Sequence, residues 1–173
     1  TGAIQRPVTA ANDRLYFGAW GGDVYCLEAR GGRDIWRRNL GSDVISEICV
    51  NDGRAYLGAA DGRVIGLSAD DGKPLWEFRT KGPIQGSAAV GNGQVFIGSG
   101  DHSLYALDER TGAPRWRFET GLGAGRNAKF EATPVAIDGT LYVTGINNNA
   151  WAIDGRTGKP LWHYERSLPG GLK

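Results

Sequence analysis

The sequence has no methionine, only two cysteines and two histidines, and no apolar run near the ~20 residues a membrane-crossing helix requires. It also lacks an excess of charge, with 20 basic residues set against 19 acidic ones. Each shortage excludes something. Without a long apolar run there is no transmembrane segment to propose. A net charge of +1 argues against a surface built for nucleic acid or anionic lipid. Cys26 and Cys49 stand alone in apolar stretches, fit no zinc spacing and make no disulfide framework; both read as small packing residues. His102 and His163 are too far apart to suggest a metal cluster, so no metal site is expected. No spacing argues for a nucleophile with its base, so catalytic residues stay unassigned. The missing methionine leaves no initiator residue. A processed product or a piece of a longer chain is therefore expected, and the lack of a leader peptide carries no information.

Glycine is what the sequence has in plenty: 28 of 173 residues, more than twice the usual ~7%. Each glycine inside a helix costs roughly 1 kcal/mol against alanine, so a helical bundle is excluded. No period of three is present, which excludes collagen. With 40% hydrophobic and 10% aromatic residues the chain can pack a core and is not disordered.

The glycines and tryptophans recur. Trp36, Trp76, Trp116 and Trp162 lie 40, 40 and 46 residues apart, and so do Gly32, Gly72, Gly112 and Gly158. Four copies of one unit fill the chain, at about 2–40, 42–80, 82–120 and 130–166. The six extra residues fall in a loop at 121–129, and 167–173 form a tail. Each unit carries three turn signals, such as Asn51-Asp52-Gly53, Ala60-Asp61-Gly62 and Asp70-Asp71-Gly72. Asp-Gly between β-formers marks a hairpin, so each unit predicts a four-stranded antiparallel meander, strands A to D. The third strands, such as Leu104-Tyr105-Ala106-Leu107, are apolar on both faces and must be covered on both. The fourth alternate with charge and open on Pro74, Pro114 and Pro160, which suits an outer edge. The fold predicted is all-β: a β-propeller of four consecutive four-stranded antiparallel blades. WD40 units have a similar length, but their Gly-His and Trp-Asp pairs are absent.

Ala106-Leu107-Asp108, Gly112 and Trp116 form a longer pattern, repeated as Ala152-Ile153-Asp154, Gly158 and Trp162 and, partly degenerate, in the first two units. It resembles the tryptophan-docking motif of the PQQ-like (quinoprotein) β-propeller repeats, whose rings have seven or eight blades. The resemblance implies that the indole of one blade packs on the motif glycine of its neighbour. Units one to three are similar to the generic repeat of the outer-membrane β-barrel assembly lipoprotein, a non-catalytic member. Unit four, with FEATPVAIDGTLYVTG at 130–145, is similar to an early blade of PQQ-dependent alcohol dehydrogenases. There the acidic residue matching Glu131 contacts the quinone. That likeness implies PQQ and calcium as cofactors of a full-length enzyme, but adjacent cysteines and calcium ligands of the family's kind are not found in this chain.

Antiparallel strands put the D-to-A connections and B–C turns on one face. The long loop with Arg126 and Lys129 therefore shares a face with Trp20-Gly21-Gly22, Asp101-His102-Ser103 and Asn147-Asn148-Asn149. Glu131 is expected to begin an innermost strand there, matching Gln5, Ile45 and Gln85. This is the candidate ligand face. The plainer reading makes Glu131 a solvated strand start, Arg126 and Lys129 loop charges, and the asparagines and His102 turn residues. Two functions follow: a binding or scaffold module, or the N-terminal part of a quinoprotein dehydrogenase, inactive as it stands. By resemblance the compartment is periplasmic or otherwise extracytoplasmic. Four blades leave two apolar sheet faces uncovered, so the chain is expected to pair into a two-fold, eight-blade ring or aggregate, or to take a protein partner on the loop face.

Overall fold

A computed structural model of the chain describes residues 2–4, 7–119, 130, 132–145 and 149–165. Every regular element among them is a strand. The first sheet runs β1 (Thr9–Ala11), β2 (Arg14–Gly18), β3 (Asp23–Glu28) and β4 (Asp34–Asn39). The second runs β5 (Cys49–Asn51), β6 (Arg54–Gly58), β7 (Arg63–Ser68) and β8 (Pro74–Arg79). The third holds β9 (Ala89–Gly91), β10 (Gln94–Gly98), β11 (Ser103–Asp108) and β12 (Pro114–Glu119). The fourth holds β13 (Val135–Ile137), β14 (Thr140–Thr144), β15 (Asn149–Asp154) and β16 (Pro160–Glu165). Each sheet is an antiparallel meander in chain order. The architecture is a partial β-propeller of four blades, and among the described residues no helix is long and apolar enough to cross a membrane.

Register explains the sequence pattern. The third and fourth strands of every sheet slip by one residue at the same place: between Cys26 and Leu27, Gly66 and Leu67, Ala106 and Leu107, and Ala152 and Ile153. The bulge re-aims the strand and sets each tryptophan opposite a small residue: Cys26 faces Trp36, Gly66 faces Trp76, Ala106 faces Trp116 and Ala152 faces Trp162. A larger residue there would push the indole off the sheet; a Cβ on Gly66 would stand 2.5 Å from the Trp76 ring.

The core is three layers between successive sheets. Tyr16, Val24 and Cys26 of the first sheet meet Ala55, Leu57, Ile65 and Leu67 of the second. Tyr56, Val64 and Trp76 meet Val95, Ile97, Tyr105 and Leu107, and Phe96, Leu104 and Ala106 meet Leu141, Val143, Trp151 and Ile153. The indoles of the first three blades each lie on the motif glycine of the following blade. A Cβ on Gly72 would come within 2.7 Å of Trp36, one on Gly112 within 2.6 Å of Trp76, and one on Gly158 within 2.6 Å of Trp116. These glycines also have φ near +70°, where side chains are strained, so two requirements converge on one residue type. The indole N–H donates to a carbonyl three residues before the glycine: Trp36 to Ala69 at 3.0 Å, Trp76 to Glu109 at 3.0 Å and Trp116 to Gly155 at 2.9 Å.

One expectation on the inner strands is revised. Ile45 and Gln85, the positions matching Glu131, precede the innermost strands by four residues instead of opening them. Their segments make no ladder because their polar groups are used elsewhere. Ser46 Oγ accepts from the Gly58 N–H and donates to its carbonyl, the Val44 N–H donates to Ala19, and the Glu47 N–H donates to Ser87 Oγ.

Removing Trp76, 8% exposed between two blades, should cost about 3–5 kcal/mol. Trp162 is 49% exposed on the last sheet, and in dilute solution its loss should cost about 1 kcal/mol. Thermal unfolding of Trp76→Ala and Trp162→Ala at low protein concentration checks the order; equal shifts would mean that the blades do not dock through these rings.

Candidate functional site

The D-to-A connections and B–C turns meet on one face and are stitched together there. The Leu40 N–H donates to Gly22 at 2.8 Å, and the Thr80 N–H donates to Gly62 at 2.9 Å. The next blade's turn then closes on the same connection, Ala60 N–H to Asp43 at 2.9 Å and Gly100 N–H to Pro83 at 2.9 Å. Side chains repeat the stitch: the Gly21 N–H donates to Asp43, the Asp61 N–H to Ser42 Oγ and the Lys81 N–H to Asp101.

Beneath the turns, the first residue of every third strand is polar and bonded to the fourth strand or the adjoining turn. Asp23, 6% exposed, accepts from Arg37 at 2.5 Å and Asn39 at 3.0 Å, and these bonds hold its carboxyl below the usual range. Arg63 reaches Asp61 at 2.7 Å, Glu77 at 3.3 Å and the Leu40 carbonyl at 2.6 Å. Ser103 Oγ accepts from Arg117 at 2.9 Å. Beside it, burial pushes the Asp101 carboxyl up, but donation from Tyr105 at 2.6 Å, the Lys81 N–H, Ser103 and Ser99 outweighs burial and leaves it low. Burial and that bond raise the Tyr105 phenol to about 12.

Asn149 occupies the same place in the fourth sheet. Instead of a turn residue offered to a ligand, it is the first residue of β15, 3% exposed, with Oδ1 2.6 Å from His163 Nε2. The imidazole stacks on Trp151 with centroids 5.0 Å apart. Arg126, Lys129, Glu131, Asn147 and Asn148 lie outside the described residues. Phe130, between two of them in sequence, is fully buried against Trp151 and Phe118. Sequence reasoning missed this cluster and the buried polar row. The row was marked only by one polar residue after each B–C turn, easily taken for part of the turn.

Nearer the inner strands is a cleft of about 290 Å³ lined by Thr9, Glu47, Ile48, Cys49, Ser87 and Thr133. Its polar groups are also engaged: Thr9 Oγ1 donates to the Ile48 carbonyl at 2.5 Å, and the Ser87 N–H donates to Thr133 at 3.3 Å. Burial, then the charges of Glu109 and Glu47, push the Cys49 thiol to about 11. Among the described residues no group of three or more His, Cys, Asp or Glu could hold a metal ion.

Comparison with known proteins places the fold. A family model described as outer membrane protein assembly factor BamB matches residues 2–88 and again 75–172. The chain belongs to this PQQ-like repeat family. BamB from Moraxella catarrhalis superposes with a TM-score of 0.78 at 23% identity, over 92% of this chain and 47% of its own. The quinohemoprotein alcohol dehydrogenase from Comamonas testosteroni gives 0.81 at 22% identity, over 95% and 35%. The computationally designed Ika8 protein gives 0.79 at 14% identity, over 91% and 48%. The PQQ-like chain thus spans less than half the length of each, and at these identities the likeness is one of fold. A search of curated proteins returns no significant match.

Two outcomes follow from this face. Because the Asp101 carboxyl is held low, the stability it contributes is complete above the ordinary value near 3.9 and is lost as pH falls through the lower folded value. Asp101→Asn should therefore lower the melting temperature at pH 7, and the gap to the parent should narrow as pH falls below about 4. Cys49, with its raised thiol, should react with a disulfide reagent at pH 8 far more slowly in the folded chain than in urea.

Proposed function

We propose that the chain is a propeller segment serving as a binding and scaffold module, which works outside the cytoplasm and offers its loop-bearing face to a protein partner. The observation that carries this is how the polar side chains of that face are used. Asp23, Asp43, Arg63, Asp101 and Asn149 each hold a strand end or a loop, and none of them is paired with a second group as acid and base. A surface organised this way keeps its shape. Trp20, 46% exposed at a B–C turn, and Ile4, 53% exposed, supply apolar contacts of the kind protein partners use. The compartment rests on the family's description as an outer membrane assembly factor.

The dehydrogenase likeness supports a second reading, in which this is the N-terminal part of a PQQ-dependent enzyme. Such an enzyme would draw on a quinone as electron acceptor and calcium as Lewis acid. Among the described residues no group of three or more His, Cys, Asp or Glu could hold calcium, and Glu131 lies outside them. No step is derived through either group. Titration with PQQ and calcium, followed by the quinone's absorption, separates the readings. The scaffold reading expects no complex tighter than a Kd of about 10 μM. A saturable spectral shift that Glu131→Ala abolishes would replace it with the enzyme reading.

A further inference from the structure

Successive blades also meet on the face away from the long loop, where the A–B and C–D turns lie. The repeat lets the crevices there be compared position by position. At the first, Arg14 opens β2, donates to the Ala69 carbonyl at 2.9 Å and pairs with Asp70 at 3.0 Å. At the second, Arg54 opens β6 and lies 3.6 Å from Asp52. Glu109 accepts there from Asn51 at 2.7 Å and from Tyr56 at 3.1 Å. Each of these crevices carries its own carboxylates.

The third crevice, between the third and fourth blades, keeps none of them. Asn92 stands where the second has Asp52, and Gly155 where it has Glu109. Arg156 stands where the first has Asp70 and the second Arg110, and Gln94 where both have arginine. Arg115 is an added cation, since the other blades carry Ile35, Leu75 and Leu161 at its position. Gln94 Nε2 still donates to the Gly155 carbonyl, at 3.0 Å, but the shorter side chain ends there. Beside it is a cleft of about 360 Å³ lined by Asn92, Gly93, Gln94, Arg115 and Arg156. Arg115 pairs with Asp108 of its own blade. Arg156 makes no ion pair among the described residues, and the Asp154 carboxylate beside it accepts from Thr157 and from backbone N–H groups. Gln94, 8% exposed, has an Oε1 that is buried and meets no donor among the described residues. A buried acceptor of that kind calls for a partner.

We propose that this cleft binds a phosphate monoester whose carrier bears a hydroxyl, the phosphate held by Arg156, Arg115 and the Asn92 amide and the hydroxyl directed toward Gln94. Guanidinium groups hold oxyanions through charge-assisted hydrogen bonds, and a phosphate monoester brings roughly −1.5 to −2 charges to two cations. The three donors come from the turn before β10, the outer strand β12 and a turn of the next blade. Donors from three directions suit a tetrahedral group better than a flat carboxylate. The space exceeds what a bare ion needs and suits a small ester. The carrier's hydroxyl is the donor that the Gln94 amide lacks. Both walls of the cleft belong to blades already joined within this chain. The site lies away from the loop-bearing face, so it goes beyond the scaffold reading and does not depend on it.

The test is NMR titration of the 173-residue chain with glycerol phosphate, methyl phosphate and inorganic phosphate. The amide signals of Gly93 and Arg156 should shift together and saturate, with a Kd for glycerol phosphate below about 1 mM. Methyl phosphate and inorganic phosphate, which lack the carrier's hydroxyl, should bind about 3–10-fold more weakly. Arg156→Asp, Asn92→Asp and Arg115→Leu each install a residue that another blade carries at the matching position, so the fold is kept. The two aspartates should each weaken binding at least about 10-fold, and Arg115→Leu at least about 3-fold. Arg110→Asp makes the matching change at the second crevice and should leave the affinity unaltered. Vesicles containing phosphatidic acid identify the source. If they retain the parent chain and not Arg156→Asp, the phosphate is a lipid headgroup; if they retain neither, it is a soluble ester. Three results overturn the proposal. One is no saturable shift up to about 10 mM ester. Another is equal loss of affinity from Arg110→Asp, as diffuse attraction to surface arginines would give. The third is inorganic phosphate binding as tightly as glycerol phosphate, which would make this an adventitious ion only.

Discussion

A flat indole laid on a peptide without a Cβ, with its N–H given to a carbonyl three residues earlier, is the contact on which the rest of this structure depends. It joins the outer rim of one sheet to a turn of the next, so the sheets stack in a set order and orientation. Burying such a ring contributes several kcal/mol, but area alone would let sheets slide. The hydrogen bond removes that freedom. Trp36, Trp76 and Trp116 each have one acceptor, and it lies in the turn whose glycine the ring covers. The bulge in every third strand serves the same contact, since it sets the tryptophan opposite Cys26, Gly66 or Ala106 instead of beside a larger side chain.

Stacking by this contact makes each blade serve as both base and cap, and that shapes the loop-bearing face. Because a connection such as 40–48 must bond to the turn of its own blade and the turn of the next, its polar groups are used in holding position. Asp43 and Asp101 are acidic and lie near glycine-rich turns. In three dimensions each accepts a backbone N–H across a gap between loops. The Tyr105 phenol, raised first by burial, donates to the Asp101 carboxylate, which this and three further donors hold low.

Much of this was legible in the sequence because the repeat made each feature visible several times. Forty-residue spacing of Trp36, Trp76 and Trp116, with Gly32, Gly72 and Gly112 four residues ahead of each, exposes both the blade and its docking contact. Asp-Gly pairs placed the hairpins because they take the left-handed φ that the turns adopt, as Asp52 and Gly53 do. Less legible was anything decided by a side chain's direction. Asn149 follows two other asparagines, and nothing in that run says that the third turns inward to meet His163. Ile45 and Gln85 are expected at strand starts as the counterparts of Glu131 in the repeat. What keeps these segments out of the ladder is hydrogen bonding to another loop or sheet, which no local pattern reports.

Directionality is what separates this stack from an ordinary pair of apolar sheets. If the interfaces were held by area alone, the exposed rows of the first and fourth sheets would be interchangeable, and either could pair with itself. The indole side and the glycine side are different objects: one projects a ring and a donor, the other offers a gap and an acceptor. Pairing two indole sides leaves both N–H groups without their carbonyl, and an unmet buried donor costs about 1–3 kcal/mol. Pairing two glycine sides leaves two gaps where packing density is lost. Only the unlike pair satisfies both faces, so the rule that orders the blades within the chain also selects what can add to its ends.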